Sequence, residues 1–265
     1  MGKVISVCNH KGGVAKTTTV MNLGIGLARL GEKVLLVDSD HQGSLTFALG
    51  YKDLSNVEVT INELMQKVID DDEFDAHEAI LHHPEGIDLI PADMGFALMD
   101  RKLTLAQYDR ERIMKAVIDT IRDEYDFILI DCQPSLSNVV INALAASDSV
   151  LIPVEPQVLA AKGLTQLLDT IAGVKRHLNK RLQYEGILIT KAEPRTNLAK
   201  SVISSINSTF GDESIPVFDV VIPKTTRVAE TAGLGKSIYL YDSKSEAALA
   251  YEKLSKEVLK RGKSK

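Results

Sequence analysis

Residues 9–18 read NHKGGVAKTT, close to the phosphate-loop pattern G-x-x-x-x-G-K-[ST] but without either of its glycines. His10 stands at the first glycine position and Ala15 at the second, while an additional lysine, Lys11, precedes the Gly12-Gly13 pair. An apolar, β-branched run, KVISVC (3–8), comes before this stretch and an amphipathic run (16–30) follows it. A strand feeding a helix through a glycine-bearing turn binds phosphate well, because backbone N–H groups converge on the anion with a helix N-terminus behind them. In that frame Gly12 and Gly13 let the backbone approach, Lys16 reaches the β- and γ-phosphates, and the Thr17 hydroxyl turns toward a metal. Ala15 is the weak point, since a Cβ costs about 1 kcal/mol if the backbone there is left-handed. The competing reading is a plain glycine-rich turn with a surface lysine.

The same alternation continues outward. KVLLVD (33–38), GIDLIPA (86–92), DFILID (126–131), SVLIPV (149–154), EGILIT (185–190) and VFDVVIP (217–223) show little polar alternation, which suits strands buried on both faces of a parallel sheet. Amphipathic stretches at 16–30, 107–124, 160–178 and 196–209 are long enough for crossover helices, with ends marked at Gly31 and Asn179. The expected fold is α/β, a doubly wound, mostly parallel sheet with helices on both faces. Ligands in such sheets sit at the carboxyl ends of the strands. CNHKGGVAKTT, VDSDHQGS and IDCQPS are therefore expected to converge.

A chain of 265 residues, 45% hydrophobic, with no long linker is expected to form one domain over residues 1–260. The basic residues 261–265 are expected to be a disordered tail. With no run of 18 apolar residues and no basic-then-apolar leader, the expected location is the cytoplasm. Cys8 and Cys132, far apart in sequence and without ligand spacing, read as reduced core thiols. The net charge of −5 argues against nucleic acid on its own, yet it is unevenly spread. Residues 51–126 carry 8 Lys/Arg against 19 Asp/Glu, and residues 186–265 carry 13 against 9. That pattern fits either a bipolar molecule or two ordinary solvated surfaces. His82 and His83, before Pro84, read as a polar loop and the acidic run 70–72 as a solvated helix end; residues 51–85 show no clear element.

KGGVAKTT fits the pattern K-G-G-x-x-K-[ST], and on it the chain resembles the ParA/MinD class of ATPases, the deviant Walker A group of P-loop NTPases. In that class the position before the first lysine is variable, which accounts for His10. VDSDHQGS resembles the class segment V-D-x-D-P-Q-G-N, and FILIDCQPSLSNVVINAL resembles I-I-I-D-C-P-P-S-L…N-A-L. GILITKAEPRTNL and VVIPKTTRVAETAGLGKSIYLYD resemble the C-terminal half of ParA proteins. The resemblance runs nearly end to end and points to a short ParA/Soj-type partition ATPase without an N-terminal helix-turn-helix extension. Three residues depart from the pattern: Ala15 for glycine, and His41 and Gln133 each for proline.

The resemblance implies a Mg²⁺-dependent, slow hydrolysis of ATP that segregates a plasmid or chromosome. It implies that Lys11, Gly12, Gly13, Val14, Ala15, Lys16, Thr17 and Thr18 hold the nucleotide, with Pro223, Thr225 and Thr190 near the base. Lys11 is expected to reach the partner's phosphates in an ATP-dependent homodimer, acting with Lys16 and with Asp40, which orients the attacking water. Thr17, Asp38 and Asp131 are expected around Mg²⁺; capping of the next helix is the rival role for each aspartate. Non-specific double-stranded DNA is expected to bind the ATP dimer through Arg195, Lys224 and Arg227, with Lys191 and Lys200 near enough to join. A ParB-like centromere-binding protein is the expected stimulating partner, with the ATPase on the bacterial nucleoid. Two alternatives remain: a MinD-like membrane-associated ATPase, anchored by the apolar residues Leu249, Leu254, Val258 and Leu259, or a binding-only nucleotide switch.

Overall fold

The apolar runs pair side by side because neither of their faces can be left to water. A computed structural model describes residues 1–157, 160–193, 196–210 and 215–263. Its strands are β1 (Lys3–Val7), β2 (Val34–Ser39), β3 (Leu81–His83), β4 (Ile87–Ile90), β5 (Phe127–Cys132), β6 (Ser149–Val154), β7 (Gln183–Ala192) and β8 (Val217–Pro223). They form one sheet in the order β3-β4-β2-β5-β1-β6-β7-β8. Every pairing is parallel except that of β3 with β4. All residues of β2, β5 and β6 are buried, as a sheet covered on both sides requires.

The edge strand β3 corrects the reading of His82 and His83 as a loop. Three residues are too few for a strand pattern to show in sequence, and the hairpin forms around Gly86 at φ 82°. His82 Nδ1 lies 2.6 Å from the Asp88 carboxylate across the pair, and His83 is buried with its ring toward the Leu49 carbonyl.

The helices are α1 (Lys16–Arg29), α2 (Ser44–Ala48), α3 (Ile61–Ile69), α4 (Met99–Leu105), α5 (Ile113–Ile121), α6 (Asn138–Ala146), α7 (Ala160–His177), α8 (Asn197–Phe210), α9 (Thr226–Leu234), α10 (Ile238–Tyr241) and α11 (Glu246–Lys263). One face of the sheet, with Ile5, Val7, Leu36 and Leu129, packs on α1, α2, α10 and α11. The other face, with Val4, Val37, Ile128 and Ile130, packs on α3 to α7. The helix expected over 107–124 starts only at residue 113, because Asp109 takes left-handed backbone (φ 42°) and its carbonyl accepts the Arg112 N–H in a turn; it is α-helical to 121 and ends in a 3-10 turn over Arg122–Glu124. Helix α3 lay in the unreadable region, though Thr60 and Glu63 form a capping box there, and Asp70 ends it as the acidic run implied. Gly31 follows α1 at φ 92°. Asn179 closes α7 and also donates to the carbonyls of Leu144, Ala145 and Ser147 at the end of α6.

Helix α1 is held from behind by α11. A Cβ at Gly26 would strike Ser255 Oγ and Tyr239 OH, and one at Gly24 would strike Leu36, so glycine sets the depth at which α1 lies. Tyr251, Leu254 and Val258 of α11 are fully buried in this contact, whereas Leu249 is exposed. The helix runs past the boundary expected at residue 260. Arg261 is the reason: its guanidinium sits 4.2 Å over the Phe218 ring, pairs with Glu257 and donates to the Glu185 carbonyl. Gly26→Ala is expected to cost about 1–3 kcal/mol through overpacking. Urea denaturation would show this as a lower midpoint at unchanged slope, and an unaltered midpoint would mean that α11 yields freely.

Candidate functional site

Strand β5 lies between β1 and β2, with Asp131 in register with both Val7 and Asp38. The turns after these three strands therefore meet at one sheet edge, as the sequence implied. Asn9 anchors the first turn: its amide donates to the Pro153 carbonyl (2.7 Å) and its oxygen accepts the Lys11 N–H (3.0 Å). The loop then passes through left-handed backbone at Gly13 (φ 76°) and at Ala15 (φ 67°, ψ 34°), immediately before α1. The strain expected at Ala15 is thus present. Two side chains from the end of β7 brace this segment, Thr190 Oγ1 donating to the Val14 carbonyl (2.9 Å) and Lys191 Nζ to that of Gly13 (2.6 Å). Lys16 is buried, its ammonium donating to the Lys11 carbonyl (3.2 Å). A cavity of about 610 Å³ opens here, lined by Gly12, Gly13, Ala15, Lys16, Thr17, Thr18 and Asp40. Val14 is buried beneath the loop.

The acidic residues divide by their partners. Asp38 is fully buried; one oxygen accepts the Thr46 N–H (2.9 Å) and hydroxyl (2.8 Å), the other the Asp40 N–H (3.1 Å). Burial lifts its pKa to about 6 against the pull of those bonds. Asp131 is as deeply buried, but neither carboxylate oxygen has a well-formed hydrogen bond. Burial, then the neighbouring Asp38, push its pKa well above the usual carboxylate range, while Thr17 and Lys16 pull less strongly the other way. Asp40 accepts the Gln42 N–H (3.1 Å) and lines the cavity. An orphaned, dry carboxylate beside a threonine hydroxyl and a lysine fits a hydrated magnesium ion, which keeps most of its water and takes few direct protein ligands. Among the described residues there is no cluster of three His, Cys, Asp or Glu side chains that could chelate a metal.

Phosphate-loop geometry, paired strand-end aspartates and the lysine ahead of the glycines set the frame for comparison with known proteins. A family model described as an AAA domain matches residues 2–184. The sporulation initiation inhibitor protein Soj of Bacillus subtilis is 43% identical over 262 residues, covering 99% of this chain and 100% of Soj. The chain belongs to the ParA/Soj family. It is a P-loop ATPase of the chromosome and plasmid partition type. The chromosome partitioning protein ParA of Caulobacter vibrioides is 37% identical, with 98% of this chain and 94% of that protein covered. Among solved structures, cobyrinic acid a,c-diamide synthase from Mycobacterium smegmatis with a bound ATP analogue and magnesium is 32% identical with a TM-score of 0.85, covering 100% of this chain and 97% of that one.

The remaining predicted residues fall around this ParA/Soj-type site. Pro223 and Thr225 line a second cavity of about 540 Å³ next to the first, and the Thr225 hydroxyl caps α9 by accepting the Arg227 N–H. Lys11 turns back along its own chain, its ammonium on Gln157 Oε1. Lys224 is paired with Glu193 (2.7 Å) and Arg227 with Asp242, so these two expected DNA-facing cations each have an acidic neighbour. Lys200 is exposed on α8, and Arg195 lies outside the described residues. The two proline departures meet: His41 Nδ1 is 3.3 Å from Gln133 Oε1, and Gln133 Nε2 donates to Ser137 Oγ (2.5 Å). Cys8 and Cys132, distant in sequence, bring their sulfurs to 2.7 Å at the ends of β1 and β5, and both are buried free thiols. Sequence reasoning passed over Asn9 and Thr46, which position the loop and Asp38. A polar residue directly ahead of the loop lysine, and a threonine in the short helix after the paired aspartates, were the available signals.

Two measurements check this electrostatic and backbone picture. An unfolded Asp131 loses its proton near pH 4, whereas the folded one holds it longer, so this residue makes stability fall as pH rises from about 4. Asp131→Asn removes that slope: its Tm relative to wild type without nucleotide is expected to rise between pH 5 and pH 8. A gap independent of pH would refute the raised pKa. Ala15→Gly relieves the left-handed Cβ and is expected to raise stability by about 0.5–1 kcal/mol, read by chemical denaturation.

Proposed function

We propose that this partition ATPase works as an ATP-gated dimer on DNA. The observation that carries the reading is the division of labour between two lysines on one loop. Lys16 is buried inside the cradle, while the Lys11 ammonium turns away from it onto Gln157. A lysine whose ammonium turns away from its own cradle would be able to serve a neighbouring protomer, neutralising charge that builds on the γ-phosphate as the bond to it breaks. Gly12, Gly13, Val14, Ala15 and Thr18 would surround the phosphates, and Pro223 and Thr225 would flank the base. Thr17 would ligate magnesium, with Asp38 and Asp131 holding its waters; the ion would supply positive charge to neutralise the phosphates. Asp40 would orient the attacking water from the cavity wall. Two protomers together would present a basic C-terminal face to duplex DNA of any sequence, through Arg195, Lys224 and Arg227 once DNA phosphates displace Glu193 and Asp242. A ParB-like partner would stimulate hydrolysis and release the protein from the nucleoid in the bacterial cytoplasm.

A membrane-bound reading has less support. The apolar residues of α11 that an anchor needs, Leu254 and Val258, are fully buried against α1 and the sheet, and no helix among the described residues is long and apolar enough to cross a membrane. A binding-only switch is favoured by Ala15 alone.

The test is light scattering coupled to size exclusion on wild type, Asp40→Ala and Lys11→Ala with no nucleotide, ADP or ATP. A stable dimer of Asp40→Ala with ATP only, lost in Lys11→Ala, is expected; monomers throughout would refute the reading. Duplex DNA binding is expected to require ATP and to weaken steeply between 50 and 200 mM salt, by about 10³-fold or more if six phosphates are contacted. Equal binding with ADP would contradict the gating.

A further inference from the structure

The two cavities at the sheet edge share a wall made by Ala15, Thr18, Lys191 and Val228. One lies over the phosphate loop, and the other reaches Pro223, Thr225 and Tyr251. A nucleotide with its β- and γ-phosphates in the first and its base in the second must lay its ribose and α-phosphate across that wall. Lys191 is the one cation among the residues the two cavities share. The other cation of the base cavity, Lys224, is paired with Glu193.

The backbone at Lys191 is built to aim the side chain there. Strand β7 loses regular register with β8 between Ile189 and Ala192, and Lys191 itself is left-handed at φ 50°. Left-handed backbone at a non-glycine residue carries strain that persists where the surroundings enforce it. Here the side chain reaches the loop, where the ammonium donates to the Gly13 carbonyl at 2.6 Å. An ammonium has three donors, so this bond leaves two free for a phosphate oxygen.

We infer that Lys191 is a nucleotide-binding residue that addresses the α-phosphate from the chain's own protomer, while also bracing the left-handed segment of the loop. The inference rests on the nucleotide-site reading above and separates Lys191 from the DNA-facing residues with which its sequence position grouped it. Because an α-phosphate is common to tri- and diphosphates, the contribution is the same for both. It differs in this from Lys11, whose proposed target exists only with a γ-phosphate.

Equilibrium binding of ADP and of a non-hydrolysable ATP analogue to wild type, Lys191→Met and Lys191→Arg tests it. Lys191→Met is expected to weaken both nucleotides by the same factor, about tenfold, as loss of one charge-assisted hydrogen bond implies. Lys191→Arg is expected to restore most of the affinity and to confirm that the fold is intact. Unchanged affinity for both, or loss confined to the ATP analogue, overturns the assignment. So does a Lys191→Met variant that binds nucleotide normally but has lost duplex DNA. Wild type that binds neither nucleotide would instead sink the site reading itself, so the two failures are distinguishable.

Discussion

Two buried carboxylates side by side at a dry sheet edge are the arrangement around which the rest of the molecule is organised. Parallel pairing of β2 with β5 puts Asp38 and Asp131 in direct register, where Asp38 raises the affinity of Asp131 for a proton. Left alone this would be an expensive defect, because burying like charges costs several kcal/mol. Asp38 is relieved by three donors from the segment that follows it, two of them from Thr46. Asp131 has no such relief and faces Thr17 and Lys16 at the start of α1. The unmet demand of one acid therefore sits where a cation would satisfy it. Stability lost here is supplied elsewhere, by the apolar faces of the sheet and the close fit of α1 against α11.

The phosphate loop depends on elements remote in sequence. Ala15 occupies a conformation that its Cβ disfavours, and what keeps it there is the end of β7, some 175 residues later, where Thr190 and Lys191 hold the carbonyls of Val14 and Gly13. Asn9 fixes the other side to β6. The loop is thus suspended between β6 and β7. Its shape is a property of strand order and not of the glycine pattern alone.

Much of this was legible in the chain. Unbroken apolar runs gave away the doubly buried strands, and polar clusters at their carboxyl ends located the site, because both signals are local and strong. The hairpin strand β3 escaped because three residues carry no period, and α3 because its apolar face is short, although the Thr60–Glu63 box was there to be read. Pairings across the fold left no trace in the sequence. Neither the acidic partners of Lys224 and Arg227 nor the brace from Lys191 follows from spacing, since each joins segments brought together only by the sheet order. Lys191 and Lys224, both in the basic C-terminal part of the chain, looked alike until their surroundings were known.

The contact between His41 and Gln133 ties the segment carrying Asp40 to the one following Asp131. At two positions where the chain departs from the class pattern it resembles, His41 and Gln133 form one polar contact. A proline at either position would remove this contact, while Gln133 would keep Ser137 and His41 would keep Asp40. The two turns flanking the cavity mouth are thereby joined through side chains, a looser form of order than a stiffened backbone would impose.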